Sequence, residues 1–491
     1  MKYAMGSLRF SLSEEGAPYY QQLMEQICRG IDSGELVVGD KLPSSRFLAS
    51  SLGVSRSTTS RAYEQLVAEG ILTSQEKRGV FVAALPMLNS RAPKRVVVDT
   101  RQACVNTELL AFDSGVDVSV FPSKEWATSM RRSWLSPDLT LLQGGYTTGY
   151  PGLKAQIVAY LYRVRGLECT AEQIIVTAGS RDSLLLLQRT FASLSHHDMT
   201  WWVEEPTYPP IREALGSYVR QGALMIDDDG ACVPTATVCS NAAILTPNRQ
   251  YPLGMAMSSQ RRQAWLHAVQ DDASDWWLIE DDYDNEFVYQ GQSNVPFMQS
   301  ASVYDRAKDR VFFMGSFSKV LFRGLRLGFI VAPMKHVAAL QHSQHVIGVS
   351  ASLPIQPVVA DFMEQGHFDR HVNRMRRHYR LKREALLTLL EAHLSPWFEW
   401  RKPRGGMHVL IEIKAEMVAK CPVNSLCLDQ QIAKELLISN IRLSYLSSHY
   451  VPPKIAGYRM GFILGFSGPD EKAMSQMVRA LRTWWVKNGP H

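Results

Sequence analysis

Three short apolar runs, each cut off by a cluster of polar residues, constrain the fold of this chain more than any other feature. Trp201-Trp-Val203 runs into Glu204-Glu-Pro-Thr-Tyr208, Trp276-Trp-Leu-Ile279 into Glu280-Asp-Asp-Tyr283, and Val311-Phe-Phe-Met314 into Gly315-Ser-Phe-Ser-Lys319. Runs that are apolar throughout, rather than alternating, belong to strands covered on both faces. With helical stretches between them they predict an α/β unit from about residue 109 onward, its sheet mostly parallel. In open sheets of this kind ligands bind beyond the carboxyl ends of the strands. Three strands therefore nominate one pocket.

The third run carries the most chemistry, because two hydroxyls and a lysine are followed by Arg326 seven residues on. A lysine desolvated at such a place has a lowered pKa and becomes a nucleophile toward carbonyls. If the carbonyl is pyridoxal phosphate, the site also needs a carboxylate for the pyridine nitrogen, donors for the phosphate and a surface for the ring. Asp281 can supply the carboxylate, Tyr283 a hydrogen bond to the phenolic oxygen, and Tyr208 a stacking face. Ser316, Ser318 and Arg326 can hold the phosphate together with Ala178-Gly-Ser180-Arg181, which precedes an apolar helical stretch and so offers a helix N-terminus.

The first eighty residues have a different character. Tyr20, Leu23, Met24, Ile27 and Ile31 recur at helical spacing and predict a helix over residues 18–33. Ser44 caps a second helix that Gly53 stops, and Ser55 caps a third that ends at Gly70. Residues 71–82 follow as two β-rich runs around Lys77, Arg78 and Gly79. This is a winged helix-turn-helix pattern, in which the third helix enters the major groove of DNA. Ser55, Arg56, Ser57 and Arg61 are its base-edge candidates, and Arg46 and the wing tip are placed to meet phosphates. Residues 1–83 hold nine basic and nine acidic side chains, so affinity must come from the placement of single cations and from dimerisation. Residues 84–108, with Arg91, Lys94, Arg95 and Arg101, read as a basic linker.

Composition narrows the setting. A chain of 491 residues exceeds the size at which single cores stop growing. Seven cysteines without a C-x-x-C pair argue against a disulfide framework or a structural metal and favour a reducing compartment. Without a signal pattern or a run long enough to span a bilayer, a cytoplasmic protein with no membrane partner is expected.

Two resemblances add to this. Gly39-Asp-Lys-Leu-Pro-Ser-Ser-Arg46, Leu52-Gly-Val-Ser-Arg-Ser-Thr58 and Gly79-Val-Phe-Val82 resemble the GntR-type winged helix. Gly149-Tyr-Pro-Gly-Leu153, Leu245-Thr-Pro-Asn-Arg-Gln-Tyr-Pro252, Glu280-Asp-Asp-Tyr-Asp284 and Ser316-Phe-Ser-Lys319 resemble the aminotransferase domain of fold type I, with its smaller C-terminal α+β subdomain. The union is similar to the MocR-type transcription regulators. The resemblance implies pyridoxal 5'-phosphate bound covalently to Lys319, with contacts from Ser180, Arg181, Tyr208, Asp281, Tyr283, Ser316, Ser318 and Arg326, and from Asn248 near the phenolic oxygen. It also implies a homodimer on operator DNA.

One departure bears on function. The family's late-strand arginine, which holds a substrate carboxylate, is replaced by Ile463 in Phe462-Ile-Leu-Gly-Phe466, leaving Arg442 and Arg459 as substitutes. The missing clamp and the intact winged helix favour a sensor of the cofactor or of an amine over the alternative, a working aminotransferase with an accessory DNA-binding module.

Overall fold

The structure, a computed structural model, describes the chain except residues 1, 6–7, 14–15, 77, 85–108, 196–197, 218, 236–239, 272–274, 349–350, 421–426, 452–457 and 490–491. The chain divides into two compact units, Met1–Val105 and Asn106–His491. Most of the expected linker, residues 85–108, lies outside the described residues.

The first unit opens with a hairpin, β1 (Lys2–Met5) and β2 (Leu8–Ser11), followed by α1 (Tyr19–Asp32), α2 (Ser45–Leu52) and α3 (Arg56–Ala68). Both expected caps form. The Ser44 hydroxyl accepts from Phe47 N–H at 3.2 Å, and that of Ser55 accepts from Thr58 N–H at 3.1 Å. Gly53 closes α2 at φ 65°, a left-handed conformation that glycine adopts without steric cost. β3 (Leu72–Gln75) and β4 (Gly79–Val82) pair antiparallel as the wing. The β1–β2 hairpin is an addition to the sequence expectation. It places Phe10 at 0% exposure in a core with Leu23, Ile27, Leu48, Leu66 and Val82, while the Gln26 amide bonds both backbone groups of Ser11.

The second unit begins with β5 (Leu110–Ala111) and builds an eight-stranded sheet from β6 (Ile174–Thr177), β7 (Met199–Glu205), β8 (Arg220–Asp227), β9 (Gly230–Ala231), β10 (Ser240–Leu245), β11 (Trp276–Asp282), β12 (Val311–Ser316) and β13 (Gly328–Val331). The order is β6-β13-β12-β11-β10-β7-β8-β9, with β8, β7, β10, β11 and β12 mutually parallel and only β13 and β9 reversed. Each face carries its own core. Ile175, Trp201, Ile244, Ile279 and Phe312 pack under the helix Ser180–Leu194, and Trp276, Leu278, Phe313 and Val331 pack on the opposite side. Beyond it β14 (Phe398–Trp400), β15 (His408–Ile413), β17 (Ser444–Tyr445) and β18 (Gly461–Gly465) form a smaller antiparallel sheet, and β16 (Ile441–Arg442) pairs with β5. Helices His367–His393, Leu428–Ile438 and Glu471–Asn488 share its core. The fold is therefore a mostly parallel α/β unit with a smaller α+β subdomain. Among the described residues no helix is long and apolar enough to cross a membrane.

Candidate functional site

All five strand ends that carry candidate residues open on one edge of the large sheet, because β6, β7, β10, β11 and β12 run in the same direction. At one side of this edge β13 binds β6 and β12 together. Gly328 pairs with Thr177 on one strand and Ser316 on the other, and a Cβ on it would lie 2.9 Å from both Gly179 Cα and Gly315 O. The glycine thus lets the start of the helix Ser180–Leu194 approach Ser316. The Ser316 hydroxyl accepts from Ser318 N–H at 3.2 Å. Arg326 is exposed and held at φ 50°, a left-handed conformation that typically costs a non-glycine residue about 1–3 kcal/mol and is concentrated at functional sites. The Arg181 guanidinium makes an exposed pair with Glu213 at 3.3 Å, beside the backbone N–H groups and the Ser180 hydroxyl of this helix start. Asp182 takes one neighbouring donor, Ala178 N–H, at 2.8 Å.

On β11 successive side chains face opposite sides of the sheet. Asp281 is 8% exposed, and its Oδ1 has no hydrogen-bond partner among the described residues. Burial, with Asp282, Glu204 and Asp284 adding to it, pushes this carboxyl up to about 7. The buried Tyr283 hydroxyl is equally unpartnered, and burial holds the phenol well above its usual range. Asn248, after β10, donates to Glu280 at 3.1 Å and keeps an unpartnered Oδ1. Tyr208, half-exposed, meets the Tyr251 ring edge-on at 5.3 Å, and Tyr251 meets Tyr283 at 6.0 Å.

Lys319 lies one short turn beyond β12. Its Nζ donates to Ser114 O at 3.0 Å. Burial lowers its pKa, and Arg323 lowers it further against the opposing Asp284 and Asp113. Behind it Asp284 forms a buried ion pair with Arg249 at 2.6 Å, over which Gly405 and Gly406 pass too closely to carry a side chain.

Several neighbours escape local sequence logic. His408 and His449 come from the smaller subdomain and press on Tyr251 at 5.2 and 5.7 Å, and burial pushes both imidazoles down to about 4, so they are neutral. Tyr251 itself lies in the motif-like segment after β10, the one signal that could have found it. Of the two substitute arginines, Arg459 is bound to Glu412, and Arg442 is exposed on β16. Ile463 is buried against Leu410 and Leu446, so the late strand is apolar at that point.

In the first unit Arg46, Ser55, Arg56 and Ser57 are exposed around the adjoining starts of α2 and α3, with the Ser55 and Ser57 hydroxyls 2.7 Å apart. Arg61 lies over the Tyr20 ring at 4.2 Å. Arg78 and Gly79 are exposed on the wing, and Lys77 lies outside the described residues. Lys41 was not anticipated. It pairs with Phe81 of β4, and its Cε would be 3.0 Å from a Cβ on Gly79.

Against known proteins, the bacterial regulatory proteins of the gntR family match residues 19–82, and aminotransferase class I and II matches residues 114–456. The probable rhizopine catabolism regulatory protein MocR of Rhizobium meliloti is 31% identical over 95% of this chain and 93% of its own. The chain belongs to the MocR-type transcription regulators. It is a DNA-binding regulator that joins a GntR helix-turn-helix to an aminotransferase-like domain. The pyridoxine biosynthesis transcriptional regulator PdxR of Corynebacterium glutamicum is 31% identical over 79% of the regulator described here and 82% of its own length. Among solved structures, a multiple substrate aminotransferase from Thermococcus profundus shares the fold with a TM-score of 0.65 at 20% identity, over 79% of the regulator and 95% of that enzyme.

Proposed function

We propose that the second unit binds pyridoxal 5'-phosphate and that this binding, or the capture of a small amine or amino acid by the bound cofactor, sets the affinity of the first unit for operator DNA. The single observation that carries the reading is a pair of buried polar atoms without partners among the described residues, Asp281 Oδ1 and Tyr283 OH, at the end of the strand beside the one that delivers Lys319. Unpaired buried groups are costly and are usually completed by something. A protonated pyridine nitrogen completes Asp281, and a phenolic oxygen completes Tyr283.

The remaining residues fit the same group. The start of the helix at Ser180, with Ser316, Ser318 and Arg326, offers hydroxyls, backbone N–H groups and a cation to a phosphate. Tyr208 offers its ring as a cover, and Asn248 an amide near the phenolic oxygen. Bound, the cofactor supplies an aldehyde to which amines add reversibly. Burial keeps the Lys319 amine easier to deprotonate than a solvated lysine, so it can serve as the protein's own amine.

For the DNA, residues 1–83 act as the reading module, 84–108 as the tether and 109–491 as the sensing domain of a cytoplasmic homodimer. Arg46, Arg56, Arg61, Lys77 and Arg78 carry the contacts to base edges and phosphates, with Ser55, Ser57 and Gly79 beside them. The names of two relatives, regulators of pyridoxine biosynthesis and of rhizopine catabolism, agree with sensing of the cofactor or of a small nutrient.

The test is gel-shift of the DNA upstream of the chain's own coding sequence, with and without pyridoxal phosphate and a panel of amines. A shift that changes with the cofactor, and specific binding that is lost in Arg56→Ala, is the expected result. Many fast turnovers with amino donors and keto acids would instead establish the aminotransferase alternative.

A further inference from the structure

We propose that Arg323 is the ligand for the carboxylate of an amino-acid effector, and that Asp113 occupies it until that carboxylate arrives. The inference rests on the reading of Lys319 as the covalent anchor of the cofactor. An amino acid that exchanges with the lysine brings its carboxylate to within a few bonds of the position of Nζ. A cation is therefore needed beside Lys319, and the late strand provides Ile463 in its place.

The loop Asp113-Ser114-Gly115 shows which cation stands there. Its middle residue accepts from Lys319 Nζ at 3.0 Å, while Asp113 Oδ1 pairs with Arg323 Nη2 at 2.6 Å. Gly115 N–H donates to the same Asp113 Oδ1 at 3.0 Å, and a Cβ on Gly115 would lie 3.0 Å from Arg323 Nη2. Amine and guanidinium are thus held by two adjacent residues, Ser114 and Asp113. Arg323 also acts electrostatically on Tyr251, whose ring packs on Tyr208 and Tyr283. The loop itself is fixed from behind, since Gly468 N–H donates to Asp113 O at 3.0 Å and Gly465 passes too close to Ser114 to bear a side chain.

Exposure separates Arg323 from the other arginine nearby. Arg249 and Asp284 are 8% and 3% exposed, and breaking so buried a pair strands a charge. Arg323 and Asp113 are 58% and 47% exposed, in the range where an ion pair contributes about 1 kcal/mol or less. Such a pair can be exchanged. A guanidinium has five donors in a fork that matches a carboxylate, and Asp113 accepts from one of its nitrogens. An effector carboxylate that takes two parallel bonds displaces it.

The experiment uses the full-length protein loaded with pyridoxal phosphate and follows its visible absorption during titration with L-alanine and, separately, with ethylamine, the same molecule without the carboxylate. The wild type is expected to prefer L-alanine. Arg323→Gln lowers the ratio of the two affinities roughly 10- to 100-fold, the worth of a charge-assisted hydrogen-bond pair. Arg323→Lys restores part of it, and Asp113→Asn raises the L-alanine affinity. An unchanged ratio in Arg323→Gln overturns the assignment, most directly if Arg442→Gln removes the preference instead. A wild-type protein with no visible band on loading overturns the cofactor reading and this inference together, whereas a normal band with an unchanged ratio sinks the inference alone.

Discussion

Two consecutive carboxylates close β11, and the two faces of the sheet treat them in opposite ways. Asp282 lies on the face where Arg165 reaches it at 2.9 Å, both side chains being under a tenth exposed. Asp281, on the other face, is as deeply buried and has an oxygen with no partner. The first arrangement is a finished structure, in which removal of one charge strands the other. The second is unfinished, and its stranded group raises its own pKa instead. Unpartnered buried atoms also occur elsewhere among the described residues, at Ser129, His393 and Trp485 for example, so what distinguishes this edge is that Asp281 Oδ1, Tyr283 OH and Asn248 Oδ1 stand together at the ends of neighbouring strands.

The most severe way to break this comparison is Arg165→Ala. It should cost about 3–5 kcal/mol of stability by leaving Asp282 buried without a cation, its one other donor among the described residues being the Asn248 amide at 3.5 Å, read from urea unfolding of the protein without cofactor. A loss below about 1 kcal/mol would mean that the pair is solvated and the contrast false. Asp281→Asn is the converse. It should leave that unfolding curve in place or shift it upward, while weakening pyridoxal phosphate binding roughly 10- to 100-fold. A variant that loses stability and binds normally would reverse the roles of the two faces.

The pH dependence sharpens the same point with a smaller effect. Asp281 is raised from 3.8 to about 7, so the folded protein keeps a proton that the unfolded chain gives up. Stability contributed by this group is therefore present at low pH and falls as the pH rises from about 4 to about 7. Glu204, Glu280 and Glu286 are also raised to about 7 and add a parallel slope, so the measurement is the difference between wild type and Asp281→Asn across that window. A difference that grew with the opposite sign would place a cation beside Asp281. The smallest effect belongs to a satisfied group at the surface. Ser44→Ala removes the α2 cap and should cost about 1 kcal/mol in thermal unfolding of the first unit.

Local signals explain what the sequence made legible. Caps at Ser44 and Ser55, the left-handed Gly53 and the apolar runs of β7, β11 and β12 are each encoded within a few residues, and each is found where expected. The candidate pocket was legible for the same reason, since its residues sit at strand ends that a parallel sheet must align. What escaped depends on distance along the chain. Asp113 meets Arg323 across 210 residues, and His408 and His449 reach Tyr251 from another subdomain. The β1–β2 hairpin was missed because four-residue strands carry too little periodicity to register.

The central claim is that unfinished groups on one edge of the sheet await pyridoxal phosphate and that Lys319 anchors it. Equilibrium titration of the protein with pyridoxal phosphate, followed by visible absorption in wild type and in Lys319→Ala, tests it most directly. The account predicts a saturable band at one equivalent per chain that is lost in the variant. A colourless wild type, or a band of equal strength in Lys319→Ala, would contradict it.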